Sequence, residues 1–234
     1  MKTTIRTRHT FFWLAPLAVV LCAFGVRGAV VPAKSDSGRI PNVAIWDEAG
    51  QKRSLWAELR RAGDGPVIVL PVYTRCAMSC PTLTRKLAQE AVRLGDSATY
   101  RVLIFSFDPT EDTESIREFR KREHVPANWL IVRAEDAEIR SFFDYFHYPI
   151  MTEGSVLVHS NEIFLLDHDL NWRATLVDVN WSSAELGEWI GRVESPGVRG
   201  WLAMNPEKLA WTGFSGLLLG VGVCVGWLIR RKPS

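Results

Sequence analysis

The segment Pro66–Tyr73, PVIVLPVY, constrains this chain more than any other. It carries no charge and no alternating polar positions, which marks a strand buried on both faces rather than one with a wet side. Such a strand needs cover above and below, so helices must pack on both sides of a sheet. The rest of the chain supplies the parts. Cys80-Pro81 opens a helical stretch in which Leu83, Leu87 and Ala91 recur at the helical period, and Tyr100–Phe107 is a second buried strand. Thr113–Arg122 is expected to be a helix capped by Asp112 or Thr113, Trp129–Val132 a short strand and Glu135–Phe146 another helix. Asn42–Trp46 and Lys52–Leu55 flank Asp47–Gly50, a hairpin turn with glycine in it. Val156–Leu166 and Trp172–Val177 make a second hairpin across Asp167–Asn171. Ser182–Val193 closes as a helix, with Ser182 or Ser183 as its cap and Glu185 in its first turn. The expected fold class is α/β, with a central mixed sheet flanked by helices.

The two ends of the chain read differently from its middle. Lys2, Arg6 and Arg8 precede the apolar stretch Phe11–Val26 and the small residues Gly25, Gly28 and Ala29, the pattern of an export signal. Residues 1–28 are therefore expected to be a signal peptide or an N-terminal anchor, and 29–40 a linker. Leu209–Ile229 runs about twenty residues without a charge, long enough for a transmembrane helix. Arg230, Arg231 and Lys232 follow at once and mark residues 230–234 as a cytoplasmic tail. The globular part, 41–200, then faces the periplasm or cell exterior from a bacterial inner membrane, on a single C-terminal anchor. Lys and Arg number 28 against 26 Asp and Glu. Much of that basic charge sits at the two ends, so the stretch between them is acidic on balance. A nucleic-acid partner is excluded on those grounds.

Cys76 and Cys80 lie where a buried strand runs into a helix N-terminus, a position that favours a thiolate. In an oxidising compartment a structural disulfide is the plain alternative. The spacing is informative: thioredoxin-type redox motifs place two residues between the cysteines, whereas Ala77-Met78-Ser79 makes three here. A wider loop can present both sulfurs to one soft metal ion such as Cu(I). A third ligand, ordinarily an imidazole, would complete such a site.

Val72-Tyr73-Thr74-Arg75-Cys76 followed by Cys80-Pro81 resembles the strand-to-helix motif of the Sco/SenC family of copper-binding, thioredoxin-fold assembly factors for cytochrome c oxidase. Phe105-Ser106-Phe107-Asp108-Pro109 with Asp112-Thr113 resembles that family's second strand and Asp-Pro turn. Val158-His159-Ser160 leading into Ile163-Phe164-Leu165 and Asp167 resembles its histidine-bearing strand. The likeness covers roughly Pro41 to Val193. It implies a thioredoxin-like fold, with Cys76, Cys80 and His159 holding copper as Cu(I), with Cu(II) as a second state. It also implies a redox-active Cys76–Cys80 pair. The implied partners are the copper-bearing subunit of cytochrome c oxidase, a copper donor and a thiol reductant that keeps the pair open. The chain departs from the family in three places. Ala77 stands where proline is usual, Val158 where aspartate is usual, and the anchor is C-terminal rather than N-terminal. With Val158, a carboxylate partner for the histidine ring is missing.

Of the other histidines, His124 and His168 are expected in solvated loops. His147, among Phe143, Phe146 and Tyr148, is expected to be packed, and the lone Met78 to serve packing as well. Two rivals use the same cysteines. A thiol–disulfide oxidoreductase acting on an oxidase subunit needs the pair but not His159. A peroxiredoxin-like peroxidase, prompted by Cys80-Pro81-Thr82, would want threonine where Ala77 stands.

Overall fold

The computed structural model describes residues 30–32, 38–95, 100–153 and 156–194. The expected export segment, the transmembrane helix and the tail lie outside these residues. Among the described residues no helix is long and apolar enough to cross a membrane. The elements in chain order are β1 (Val30–Pro32), β2 (Ala44–Trp46), β3 (Lys52–Ser54), α1 (Leu55–Arg61), β4 (Val67–Val72) and α2 (Ser79–Leu94). They continue with β5 (Arg101–Ser106), α3 (Thr113–Glu123), β6 (Leu130–Val132), α4 (Asp136–Tyr145) and β7 (Ile150–Glu153). Last come β8 (Val156–His159), β9 (Glu162–Leu166), β10 (Trp172–Val177) and α5 (Ser183–Glu194).

Six strands form the central sheet in the order β1-β10-β9-β4-β5-β6. β4, β5 and β6 run parallel, and β9, β10 and β1 follow β4 in antiparallel succession. The expected mixed sheet is therefore present. Every residue of β4 and of β5 is buried, as the uninterrupted apolar runs require. Their side chains alternate between two cores. Ile68, Leu70, Val72, Val102 and Ile104 face α2, α3 and α5 together with Leu83, Leu87, Ile116, Phe119 and Ile190. Val67, Val69, Leu103 and Phe105 face the other way, into a layer holding Phe142, Phe143, Phe146, Tyr148 and Phe164.

Local chemistry sets the helix ends. Asp112 accepts from the Ser115 N–H at 2.8 Å to start α3. At α5, the Glu185 carboxylate accepts from the Ser182 N–H at 2.9 Å and the Ser182 hydroxyl accepts from the Glu185 N–H at 3.3 Å, a reciprocal capping box. Gly187 lets α5 come close to α2, since a Cβ there would lie 2.7 Å from Leu94 Cδ2.

Three expectations need correction. The segment 29–40 is not only a linker, because β1 adds to the edge of the sheet at β10. Leu55 does not end a strand. It opens α1, with Ser54 as the cap, and it is fully buried with Leu59. Val156–Leu166 is not one strand. It breaks at Ser160 and Asn161 into β8 and β9, which belong to different sheets. β8 pairs instead with β7, so that Ile150 faces His159 across a separate two-stranded ribbon.

Candidate metal centre

The cysteine side of the site grows directly from the parallel sheet. β4 ends at Val72, and the Phe107 N–H bonds to the Val72 carbonyl at 2.9 Å, tying the exits of β4 and β5 together. The chain then turns, with the Cys76 N–H on the Tyr73 carbonyl at 3.1 Å, and enters α2 at Ser79. Two anchors hold that turn. The Thr74 N–H donates to the buried Glu111, whose other oxygen accepts from Ser106 Oγ at 2.5 Å. Arg75, exposed, pairs with buried Asp108, and Asp108 also accepts from the Thr110 hydroxyl at 2.7 Å. Burial pushes the Glu111 carboxyl up and outweighs its hydrogen bonds. Burial acts the same way on Asp108, but there the bonds from Arg75 and Thr110 win and hold it below the usual carboxylate range.

Both cysteines are free and buried, Cys76 at 6% and Cys80 at 2% exposure. Cys76 Sγ accepts the Cys80 N–H at 3.5 Å and lies 3.8 Å from Ser79 Oγ. The adjacent Cys80 thiol, with the backbone N–H groups of Cys80 and Met78, pulls Cys76 far below the ordinary thiol range despite its burial. The neighbouring Cys76, together with burial, pushes Cys80 far up. The two thiols are thus driven apart, Cys76 toward the thiolate and Cys80 toward the thiol. Tyr73, close above them, is raised to about 12, first by burial and then by the Cys76 charge.

The histidine side arrives from β8. His159 is half-buried, and its Nε2 lies 3.6 Å from Cys80 Sγ. Its ring packs on Phe107 at 4.9 Å and edge-on to Tyr73 at 5.9 Å between centroids. The sulfurs of Cys76 and Cys80 and a ring nitrogen of His159 all lie within 4.8 Å of one another. The structure therefore brings together the three residues expected at the site, from the turn before α2, from the first turn of α2 and from a strand 79 residues beyond Cys80.

Nδ1 of His159 lies 2.8 Å from the Ser160 carbonyl and 2.8 Å from the Tyr148 hydroxyl, and that hydroxyl donates to the same carbonyl at 2.7 Å. A carbonyl can only accept, so Nδ1 carries the proton and Nε2 presents its lone pair to the sulfurs. The partner missing at Val158 is thus supplied by a neutral pair, Tyr148 and the Ser160 backbone.

Tyr148 was not among the residues singled out by sequence. The local chain explains its place. His147 takes a left-handed conformation, φ 54, after α4. Its N–H bonds to the Asp144 carbonyl at 3.0 Å, and the Tyr148 N–H to the Phe143 carbonyl at 3.1 Å. This is the paired bonding of a Schellman stop, and the Tyr148 and Phe143 rings lie 5.4 Å apart as its hydrophobic contact. His147 is consequently exposed, not packed as expected, whereas Tyr148 is buried. His124 and His168 are exposed as expected. Met78 is not packing either: its side chain is 81% exposed in the loop between the two cysteines.

A mixed sheet with helices on both faces, and a cysteine pair at a strand-to-helix junction facing a late histidine, define a thioredoxin-like domain with a candidate metal centre. The SCO1/SenC family model matches residues 59–192, more than half of the chain, and the chain belongs to that family. A candidate electron transfer protein of Aquifex aeolicus VF5 is similar in structure at 25% identity and a TM-score of 0.60, over 67% of this chain and 92% of that one. Arabidopsis thaliana ScoI, solved with copper bound, matches at 17% identity and a TM-score of 0.56, over 66% of this chain and 96% of its own. BsSco, a member of the Sco family of cytochrome c oxidase assembly proteins in which a disulfide switch was identified, matches at 16% and 0.56, over 67% and 93%. At these last identities the likeness carries the fold. The comparison with curated protein sequences returns no match.

Proposed function

We propose that this chain is a copper metallochaperone that holds Cu(I) on Cys76, Cys80 and His159 and delivers it to the copper-bearing subunit of cytochrome c oxidase. The observation that carries the proposal is the convergence of two sulfurs and a ring nitrogen within 4.8 Å, in a fold whose relatives include a protein solved with copper bound. The donor set suits a soft monovalent ion, since thiolates select Cu(I) and a neutral imidazole adds no charge. The lowered Cys76 favours the thiolate that a soft cation needs, and loading releases the protons the two thiols still hold. The sulfurs must be reduced for this, which makes a thiol reductant a necessary partner.

The split between a Cys76 thiolate and a buried Cys80 thiol also suits thiol–disulfide exchange, with the pair acting as a redox-active disulfide on cysteines of an oxidase subunit. The two functions part at His159. Anaerobic Cu(I) titration of the reduced protein should show one ion per chain. His159→Ala should weaken binding at least about tenfold, or about 1.4 kcal/mol, with the potential of the cysteine pair nearly unchanged. Unaltered Cu(I) affinity in that variant would favour the oxidoreductase.

A further inference from the structure

Tyr148 is 4% exposed, and its ring is held by Phe143 at 5.4 Å, Phe164 at 5.6 Å and Phe107 at 6.0 Å. A buried hydroxyl needs partners, and this one has two, the Ser160 carbonyl and Nδ1 of His159. Neither belongs to the segment between α4 and β7 that carries Tyr148. The Ser160 carbonyl thereby accepts from both Tyr148 and His159, which fixes three groups as a triangle with sides of 2.7, 2.8 and 2.8 Å. β8 itself gives His159 little support, since among the described residues its strand partner is β7 alone, in a ribbon apart from the central sheet.

We propose that Tyr148 is the positioning residue of the metal centre: its hydroxyl, braced on the Ser160 carbonyl, fixes the ring of His159 with Nε2 aimed at the cysteine sulfurs. Such a partner to a ligating histidine sets ring orientation, and its loss typically costs 10–100-fold in metal affinity. The proposal rests on His159 as a ligand. A neutral hydroxyl and carbonyl here take the place a carboxylate would fill. Val158 cannot supply that contact, because it pairs with Met151 on the ribbon face opposite the one shared by His159 and Ile150.

The test is a cycle in the reduced full-length chain, read as Cu(I) affinity by competition with bicinchoninate, for wild type, Tyr148→Phe, His159→Ala and the double variant. Tyr148→Phe keeps the ring and its packing, and should weaken binding about tenfold. In the His159→Ala background the same change should have no further effect, because it acts through the ring. A Tyr148→Phe protein within twofold of wild type, or one whose loss persists undiminished without His159, overturns the proposal while leaving His159 a ligand. A His159→Ala protein of unchanged affinity removes the ligand itself, and the positioning role with it. A second readout needs no metal: exchange of the His159 Nδ1 proton with water, followed by nuclear magnetic resonance, should be slow in wild type and fast in Tyr148→Phe. Equal rates would overturn the proposal as well.

Discussion

Cys76 and Cys80 hang from the layer that α2, α3 and α5 share with the central sheet, whereas His159 comes from a separate ribbon braced on the aromatic layer beneath the other face. The cysteine side is specified locally. A buried strand, a turn and a helix start follow one another in a single run of sequence, and the loop closes on its own backbone N–H groups. The histidine side is specified at a distance. It depends on the Schellman stop of α4, on Tyr148 and on a network of rings in which Phe105 stacks on Phe142 at 4.4 Å and Phe146 on Phe164 at 4.2 Å. A site assembled this way can lose one arm and keep the other.

Phe107 is where that independence should break most visibly. It is 1% exposed, leaves β5 beside the cysteine turn, and touches Tyr73, Phe143, Tyr148 and His159. Phe107→Ala should cost about 3–5 kcal/mol of stability in chemical denaturation. Hydrogen exchange should rise more in β7 and β8 than in α2. A uniform rise would mean the two arms are one cooperative unit.

The cysteine pair should leave a smaller mark, in the pH dependence of stability. In the folded protein Cys76 is lowered and Cys80 raised, whereas in the unfolded chain each thiol keeps its proton up to the ordinary value of 9.0. Below that value the unfolded state binds more protons, so the lowered Cys76 stabilises the fold near neutral pH, and this contribution fades as pH falls through the acid range. Above it the unfolded chain releases both protons while Cys80 retains its own, so stability falls as pH rises. The difference in melting temperature between wild type and the Cys76→Ser, Cys80→Ser protein should therefore peak near pH ~9. The double variant should stay folded and bind no Cu(I). A flat difference would show that the fold does not drive the two thiols apart.

The smallest effect sharpens the comparison from outside it. Ser182→Ala removes the α5 cap and should cost about 1 kcal/mol in denaturant unfolding, with Cu(I) affinity within twofold of wild type. A larger loss of affinity would tie α5 to the site through α2.

The same contrast governs what was legible in the sequence. β4, β5, α2 and the Ser182–Glu185 box were readable because their signals, an unbroken apolar run, a helical period and a cap, each fit within one segment. α1 was missed because it is 7 residues long and follows β3 without a loop. β7 was missed because a ribbon of 4 residues on each side shows no period of its own. Motif resemblance picked out His159, which geometry then placed beside the sulfurs. Tyr148 had no such motif. Next to it stood His147, whose chemistry drew notice and whose left-handed backbone points to a helix stop rather than to a ligand. Which of two neighbouring residues turns inward is decided by tertiary packing, and no short window of sequence contains it.

The central sheet ends in β1 on one side and β6 on the other, each of 3 residues. Pro32 in β1 has no N–H to offer, and beside β6 the edge is crossed at Arg133 by a bridge to Trp46. Short, blunted borders of this kind give another chain no length of free backbone to zip onto. A chaperone of the kind proposed above would gain from that. Its encounters would rest on side chains around the sulfurs, which can let go, rather than on shared strands, which do not.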